Sequence, residues 1–556
     1  MAARENHTPN ALIASSILLQ QLASVLPKDI NFNIYHLSTP PTKASALYSA
    51  PPGARQDRTY CESHFLSASI RASAHDGFAE KTDVLVFAIE VLIYSTAYDT
   101  TFFVSKADST GYLHLLKLPK GTPSPLREIS ATFLRHLLEQ RQRPNIRSVL
   151  SLFARAQDQY LFPGSIEYSG KHVLDDRGLV RWWCRVLNPL VESAPSDSHW
   201  DAVNGYLIVP GVDTHETRSY LPRGTKAQWT IGHPLQKISR YSGDIPPRCL
   251  VPHFPDDPKS RYLDELDEEI SKGQNSDSGQ WKSVKSIDQF WDMMAFRQEC
   301  SAGRLVGFIW IVFTPSPRLQ PTESVAGDSQ TTIMTLDSQI LDAKSSCSAS
   351  PVFTPATSFY TSSQGQPLSL PINEHERDVP IISEQSLPSS SPHTAKRKKL
   401  SGPIVARQPR IKTENKNYLL DKPESTAYYS WKSGGRGQVI VEETDYKRIT
   451  ELLLRLDFAN LELATSSSSR WINEVRYGAW GPMKEFWGQT ITGTKVTEAQ
   501  NVVGAAGVNT LNIGLVRKKR KGGIEEPKEQ LTPSTNGGTP EVNVLSAGML
   551  RKKAKV

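Results

Sequence analysis

Short apolar runs rich in branched and aromatic residues predict the strands of a β-sheet. Four of them lie between residues 30 and 104, and their sequences are NFNIYHL, HFLSASIRA, DVLVFAIEVLIYS and TTFFVS. Side chains of these types pack well on a pleated, half-buried surface. A further run, LVGFIWIVF at 305–313, is apolar throughout, which indicates a buried central strand.

Apolar residues at helical spacing predict helices beside these strands. The segment at 124–140 has Ser124 at the N-cap position and Pro125 at the first helical position. The segment at 286–300 opens with a capping box made by Ser286 and Gln289. The predicted helices are 11–26, 124–140, 145–157, 175–191 and 286–300.

These elements predict a mixed α/β domain over residues 1–315, with a central β-sheet surrounded by helices. Residues 316–415 are rich in Ser, Thr, Pro and Gln, so we expect a disordered insertion. Residues 416–480 contain the strand-like QVIVEE and an amphipathic helix, and this segment is expected to complete the domain. The apolar residues of that helix are Ile449, Leu452, Leu453, Leu456 and Phe458. Residues 481–556 are expected to be a flexible basic tail.

The chain has 556 residues and a net charge of +7, and its second half contains three basic clusters. The clusters are KRKK at 396–399, RKKRK at 517–521 and RKKAK at 551–555. They suit nuclear import or contact with an acidic partner, although solvated charge in flexible tails is an alternative. We predict a nuclear protein, and direct DNA binding stays open.

The tail also contains a near-repeat. VNTLNIGLVRKKRK at 508–521 and VNVLSAGMLRKKAK at 542–555 share an apolar segment followed by cations. Such a peptide suits binding to an acidic partner that has an apolar groove. Accidental similarity within biased sequence is the alternative.

Several classes of protein are disfavoured by what the sequence lacks. The five cysteines form no CxxC pair, so neither a disulfide framework nor a cysteine-rich zinc module is expected. The apolar run at 84–94 is interrupted by Glu90 and is shorter than the roughly 20 residues of a membrane span, so no membrane segment is expected. The glycine-rich nucleotide motifs are absent as well.

Two constellations near the predicted strands suggest a ligand site. In VSKADSTGY at 104–112, Asp108 is placed to hold a turn at the end of a strand. Lys117, Lys120 and Arg127 then surround the start of the 124–140 helix, where free N–H groups favour an anion such as pyrophosphate. A solvated basic loop is the alternative.

Aromatic and acidic residues supply the other constellations. Trp182 and Trp183 point about 100° apart on a helix, so Trp183 suits the core and Trp182 suits a pocket wall, unless both are structural. Tyr160 precedes a sharp break in QYLFPG. In FPDDPKSRY, Asp256 and Asp257 form a carboxylate doublet that suits a general base for an amine, or simply caps a turn.

Four stretches together resemble the fungal histone H3 acetyltransferase family, whose catalytic domain is related in fold to the CBP-type acetyltransferases. They are FVSKADSTGY, QYLFP followed by KHVLDDRGLVRWW, FPDDPKSRYLDEL, and FWDMMAFRQECSAGRLVGFIWI. The resemblance implies acetyl-CoA as the donor, no metal, and a lysine of newly made histone H3 as the acceptor, notably where DNA enters and leaves the nucleosome. It also implies histone H3–H4 presented by chaperones of the anti-silencing and nucleosome-assembly classes.

The resemblance also assigns roles to residues of this chain. Asp257 would accept the proton with Asp256 beside it, and Tyr160 and Trp183 would shape the lysine channel. Lys259 would be the lysine that the enzyme acetylates on itself. The expected coenzyme-site residues are Ala107, Asp108, Ser109, Phe153, Gln157, His172, Val173, Leu174 and Trp182, with Arg127 from the basic loop. A non-catalytic chromatin adaptor is the competing hypothesis, because it accounts equally well for the tail repeat.

Overall fold

A computed structural model describes nine ranges of the chain. They are residues 8–72, 82–119, 121–192, 200–241, 245–271, 279–297, 304–316, 419–479 and 483–496. The predicted insertion, the basic clusters, the tail repeat and Lys120 lie outside these ranges. No helix within the described ranges is long and apolar enough to cross a bilayer.

Ten α-helices and eleven strands make up the described fold. The helices are α1 (Thr8–Val25), α2 (Pro125–Arg141), α3 (Asp176–Glu192), α4 (Thr214–Arg218), α5 (Leu235–Ile238), α6 (Ser260–Ser271), α7 (Ile287–Met294), α8 (Glu443–Leu453), α9 (Leu461–Gly478) and α10 (Met483–Phe486). The strands are β1 (Asn31–Ser38), β2 (Thr42–Ala44), β3 (Thr59–Arg71), β4 (Asp83–Ser95), β5 (Asp99–Ser109), β6 (Arg147–Ala154), β7 (Trp200–Ile208), β8 (Trp229–Ile231), β9 (Gly307–Pro315), β10 (Val439–Ile440) and β11 (Gln489–Thr492).

All eleven strands join one mixed sheet, which confirms the predicted fold class. The strand order is β10-β1-β3-β4-β5-β6-β9-β7-β8, with β11 also paired to β1 and β2 to β3. β5 and β6 are parallel, and β6 and β9 are antiparallel. The centre of the sheet therefore joins strands that lie far apart in sequence.

The strand β9 shows how the sheet separates two hydrophobic cores. Ile309, Ile311 and Phe313 belong to the larger core, whereas Phe308 and Trp310 belong to a second one. Successive side chains of a strand point to opposite faces. The uniformly apolar sequence of this strand therefore follows from burial on both faces, as predicted.

The segment after residue 418 completes the sheet edge. β10 runs parallel to β1 through Leu37 and Ser38, and β11 runs antiparallel to the first half of β1. The prediction ended the folded domain at residue 480, yet α10 and β11 extend it to Thr492. β11 has only four residues, too few for a recognisable strand pattern in a single sequence.

One predicted helix is a strand. The segment at 145–157 forms β6, in which Val149, Leu150 and Leu152 are all buried. A surface helix needs a polar face, and β6 has none because its two faces are buried, with Leu150 and Leu152 in the larger core and Val149 in the second core. The helix expected to carry Ile449 to Phe458 ends at Leu453, and α9 follows it as a separate helix.

A buried polar network fastens the returning segment to β3 and α2. Arg141 donates from Nε and Nη2 to the two oxygens of Glu62 at 2.6 and 2.9 Å, and from Nη2 to the carbonyl of Gly435 at 3.0 Å. His64 contacts Glu62 at 3.2 Å and His36 at 3.0 Å through its two ring nitrogens. A bidentate ion pair of this kind fixes geometry because breaking it leaves a buried charge.

The folded state should be less stable in mild acid because of this network. Burial lowers the pKa of His36 and of His64, so the folded chain binds fewer protons than the unfolded chain. The stabilisation is complete above the unfolded pKa of about 6.5 and is lost as the pH falls below it, at up to about 1.4 kcal/mol per pH unit for each histidine. Burial alone would raise the pKa of Glu62, but mainly Arg141 lowers it to about 2, so this carboxylate stays charged in that window.

Urea unfolding at about pH 8 and about pH 5.5 measures this loss. His36→Gln should reduce the pH dependence, whereas His253→Gln should not, since the side chain of His253 is 43% exposed. Equal stability at the two pH values would contradict the assignment.

Candidate acetyl-transfer site

A cleft of about 430 Å³ opens where β5 and β6 end against α3. Pairing between β5 and β6 stops at Val104 and Leu152, so the β6-facing edge of β5 from Ser105 to Ser109 has no strand partner in the register of the described sheet. The unpaired edge offers backbone N–H and C=O groups to an extended ligand. The first turn of α2 adds Ser124 and Leu126 to the wall.

A bulge in β5 shapes the floor of this cleft. Glu90 pairs with Lys106 while Val91 pairs with Val104, so Ser105 is the extra residue. A bulge interrupts the strand's regular alternation and redirects the side chains that follow it. Ser105 and Lys106 both line the cleft as a result.

Asp108 organises one side of the cleft through its carboxylate. Its Oδ2 accepts the backbone N–H groups of Tyr160, Leu161 and Phe162 at 2.7, 2.9 and 3.3 Å. Its Oδ1 accepts a bond from Lys171 Nζ at 3.0 Å, and the side chain of Lys171 is only 4% exposed. Asp108 therefore holds a loop some fifty residues away, whereas the sequence suggested only that it holds the turn after its own strand.

The loop before α3 forms the opposite wall. Asp176 accepts the backbone N–H groups of Ala156 and Leu305, each at 3.0 Å, and so joins the starts of α3 and β9 to the end of β6. Gly111 has a φ of 92°, and a Cβ there would lie 2.6 Å from the backbone of Lys171. Only glycine allows this approach, which places the 171–174 segment against the cleft.

Aromatic side chains enclose the inner end. The rings of Trp182 and Trp183 meet edge to face, with their centroids 4.9 Å apart. Trp183 is 5% exposed and belongs to the core, whereas Trp182 is partly buried, and both line the cleft with Tyr160. Burial raises the pKa of the Tyr160 hydroxyl, which keeps it protonated at neutral pH. These walls exclude water from a group that enters between them.

The acidic turn, residues 254–259, lies beside this inner end. Phe254 stacks on Phe103 of β5 with ring centroids 4.1 Å apart. Asp257 is buried, caps the turn by accepting the N–H of Lys259 at 2.9 Å, and forms an ion pair with the Lys259 ammonium. Asp256 has a φ of 57°, is 57% exposed at its side chain, and accepts a bond from Lys106 Nζ at 2.9 Å.

Most of the residues expected at the site line the cleft. Arg127 does not, because it pairs with Glu128 at the start of α2. Asp256 contacts the cleft residue Lys106, whereas Asp257 and Lys259 form a buried pair behind it. The lining residues are Ala107, Asp108, Ser109, Phe153, Gln157, Tyr160, His172, Val173, Leu174, Trp182 and Trp183.

Sequence reasoning missed five charged residues of this region. Lys106, Lys171 and Arg155 line the cleft, Asp176 fixes its wall, and Glu90 lies under Lys106 with an Oε2 to Nζ distance of 3.0 Å. For Glu90, the sequence does contain a signal of an unusual role. It is the charged residue inside an otherwise apolar strand, and a buried carboxylate requires a partner.

Comparison with known proteins identifies the family of the chain. The family model for the histone acetyltransferase KAT11-type domain matches residues 18–148 and 143–474. Histone acetyltransferase rtt109 of Aspergillus flavus is 39% identical over 598 residues, covering 96% of this chain and 98% of that protein. Histone acetyltransferase rtt109 of Schizosaccharomyces pombe is 35% identical over 259 residues, covering 44% of this chain and 60% of that protein.

The crystal structure of Rtt109 from Aspergillus fumigatus gives the structural comparison. It superposes with a TM-score of 0.59 at 36% identity and covers 86% of this chain and 100% of that chain. These matches show an enzyme and argue against the hypothesis of a non-catalytic adaptor. The chain belongs to the fungal Rtt109-type family of KAT11 histone acetyltransferases.

Proposed function

We propose that this histone acetyltransferase transfers the acetyl group of acetyl-CoA to lysines of newly made histone H3 within H3–H4, at the cleft beside the acidic turn. The observation that carries the proposal is the meeting of the unpaired β5 edge and the Trp182–Trp183 wall at one cavity, with the carboxylate of Asp256 bonded to Lys106, which lines that cavity. Histone chaperones of the anti-silencing and nucleosome-assembly classes would present the substrate in the nucleus, during chromatin assembly and the response to DNA damage.

The cleft fits an extended acyl carrier. The pantetheine arm of acetyl-CoA is a chain with two amides, and the Ser105–Ser109 edge offers the matching backbone groups. Val173 and Leu174, both partly exposed at the mouth, suit the aliphatic parts and a flat base. The start of α2 brings the positive end of a helix dipole to the cleft through Ser124, which suits the pyrophosphate of the coenzyme.

The chemistry requires a neutral amine at the inner end. A lysine has a reference pKa of about 10.4, so it must lose a proton before it attacks. Acetyl-CoA supplies a thioester carbon, to which the amine nitrogen forms an amide bond while the carbon–sulfur bond breaks. Asp256 takes the amine proton directly or through one water, and Tyr160, Trp182 and Trp183 desolvate the amine.

Asp256 is a better candidate for this proton than Asp257. The carboxylate of Asp257 is 2% exposed and is occupied by Lys259 and the turn, so an incoming amine has no path to it. We propose that Asp257 instead holds Lys259, whose ammonium also lies 4.7 Å from the ring centre of Phe308.

A transfer assay tests the proposed function. Labelled acetyl-CoA is mixed with H3–H4 and a chaperone, and the modified lysines are identified by mass spectrometry. We expect acetyl-lysine on H3 and saturable acetyl-CoA binding by calorimetry. Acetylation of H4 alone would contradict the proposed substrate, and the absence of coenzyme binding would contradict the proposed cleft.

Autoacetylation of Lys259 should tune this activity. Acetylation removes the charge that pairs with Asp257, so the Asp257 carboxylate can accept hydrogen bonds from other donors. We expect Lys259→Arg to turn over about tenfold more slowly than autoacetylated wild type, the equivalent of one buried hydrogen bond at about 1.4 kcal/mol. Lys282→Arg, at an exposed position, is the matched control. Equal turnover and equal acetyl-CoA affinity of Lys259→Arg and autoacetylated wild type would remove the proposed tuning.

A further inference from the structure

Lys106 is the cation closest to the proposed proton acceptor. Its Nζ donates to Glu90 Oε2 at 3.0 Å, to Asp256 Oδ2 at 2.9 Å and to Ser105 Oγ at 3.2 Å. An ammonium has three donors, and these contacts use all of them. The side chain is 23% exposed and faces the cleft, so it is neither a surface lysine nor a core residue.

The contacts of Lys106 belong to a chain of polar groups from four parts of the fold. Glu90 of β4 also accepts a bond from the Tyr446 hydroxyl of α8 at 2.9 Å. Asp256 comes from the acidic turn, and Ser105 is the bulged residue of β5. The bulge and three separate elements therefore hold the Lys106 ammonium in place.

The other basic residues that line the cleft, Lys171, Arg155 and His172, form no described ion pair with these carboxylates, and the nearby Tyr160 hydroxyl is neutral. Lys171 is engaged by Asp108, and Arg155 lines the wall without an ion pair to either carboxylate among the described contacts. Burial alone would lower the pKa of Lys106, but Glu90 and Asp256 outweigh it and the pKa lies above its usual range. Lys106 is therefore charged at neutral pH.

We propose that Lys106 is a positioning residue that keeps the acceptor lysine uncharged, by occupying the two carboxylates that would otherwise bind the acceptor as an ammonium. The inference rests on the proposed function, because it requires the acceptor to approach Asp256. Without Lys106, Glu90 and Asp256 would present two uncompensated negative charges to the incoming amine. A protonated amine would then bind tightly and remain unreactive.

Geometry places the two amines close together. An acceptor nitrogen that passes its proton to Asp256 must come within about 3 Å of that carboxylate. Lys106 Nζ already lies 2.9 Å from the same group. When the acceptor approaches Asp256 Oδ2 directly, the two nitrogens are at most about 6 Å apart, a range in which one positive charge lowers the pKa of the other. The acceptor proton leaves the amine for Asp256, and Lys106 keeps its own.

Lys106→Met tests the inference, since methionine is unbranched and uncharged. We expect a lower KM for H3 together with a lower kcat, because the acceptor binds as an ammonium. The acidic limb of the kcat profile, at saturating acetyl-CoA and H3–H4, should move to higher pH by about one unit, and kcat at pH 7 should fall about tenfold. Lys106→Arg keeps the positive charge, so the acidic limb of its kcat profile should lie at nearly the same pH as in wild type.

Two further variants separate this role from a structural one. Tyr446→Phe loses the hydrogen bond to Glu90 without changing any charge. The acidic limb of its kcat profile should therefore stay at the wild-type pH even if kcat falls. Lys106→Gln replaces the methionine variant should that one fail to fold. A uniform loss of kcat with an unmoved limb in the uncharged variants would overturn the inference while leaving the proposed function intact. A wild-type enzyme that transfers no acetyl group to H3 would overturn both.

Discussion

Asp256→Asn is expected to lower kcat for histone acetylation by about 10²–10⁴-fold, the usual contribution of general-base catalysis. The asparagine side chain keeps the size of the carboxylate but accepts no proton at neutral pH. Acetyl-CoA affinity should change little, because Asp256 does not line the coenzyme cleft. Rapid-quench measurements with saturating acetyl-CoA and H3–H4 isolate the chemical step from product release.

Asp257→Asn is the matched comparison at the neighbouring position. It leaves the Lys259 ammonium buried without its carboxylate, so the main loss should be in the free energy of unfolding, about 3–5 kcal/mol. The folded enzyme should keep more activity than Asp256→Asn. The opposite ranking, with Asp257→Asn the less active and fully stable, would return the proton-acceptor role to Asp257, as the sequence predicts.

Asp108→Asn should abolish acetyl-CoA binding at ordinary concentrations. The carboxylate accepts three N–H groups of the 160–162 loop, and an amide cannot accept them all and also neutralise Lys171. Leaving this cation buried should cost about 3–5 kcal/mol, and a loosened Tyr160 no longer encloses the cleft. Calorimetric titration with acetyl-CoA and urea unfolding measure the two effects.

Asp158→Asn controls for charge in the same loop, because Asp158 is exposed. It should bind acetyl-CoA like wild type and unfold at the same urea concentration. Wild-type affinity in Asp108→Asn would mean that the loop keeps its shape without the carboxylate, and the account of the cleft wall would be wrong.

The local patterns of the sequence predict the elements that frame the site. β4 has the predicted bounds, α2 begins at Pro125 after Ser124, and Ser286 caps α7 by accepting the N–H of Gln289 at 3.1 Å. Each of these signals depends on neighbours within about one turn. The prediction for β6 is wrong because its apolar residues are divided between the two cores on either face of the sheet, Leu150 and Leu152 in one and Val149 in the other, which local spacing does not reveal.

The different surroundings of Asp256 and Asp257 depend on one backbone angle. The left-handed conformation of Asp256 turns the chain so that one aspartate faces Lys106 and the next enters the core. Aspartate tolerates this conformation better than most residues, but the sequence does not require it. Both the cap and the catalytic interpretation of the doublet were therefore open at the sequence level.

The polar chain beneath the cleft depends on contacts across the whole fold. Tyr446 meets Glu90 from more than 350 residues away, and Asp256 meets Lys106 from 150 residues away. A single sequence carries no signal for such pairs. It indicates only that the charge of Glu90, within an apolar strand, needs a partner.

The central claim is that one cavity brings an acyl group at the β5 edge to a lysine beside Asp256. A crystal structure with a bisubstrate analogue, coenzyme A joined to the side-chain nitrogen of an H3 lysine peptide, tests it most directly. We predict that the joining nitrogen lies between Tyr160 and Trp183, within hydrogen-bond reach of Asp256 or of one water bound to it. A coenzyme chain that bypasses the Ser105–Ser109 edge, or a joining nitrogen remote from the acidic turn, would contradict the account.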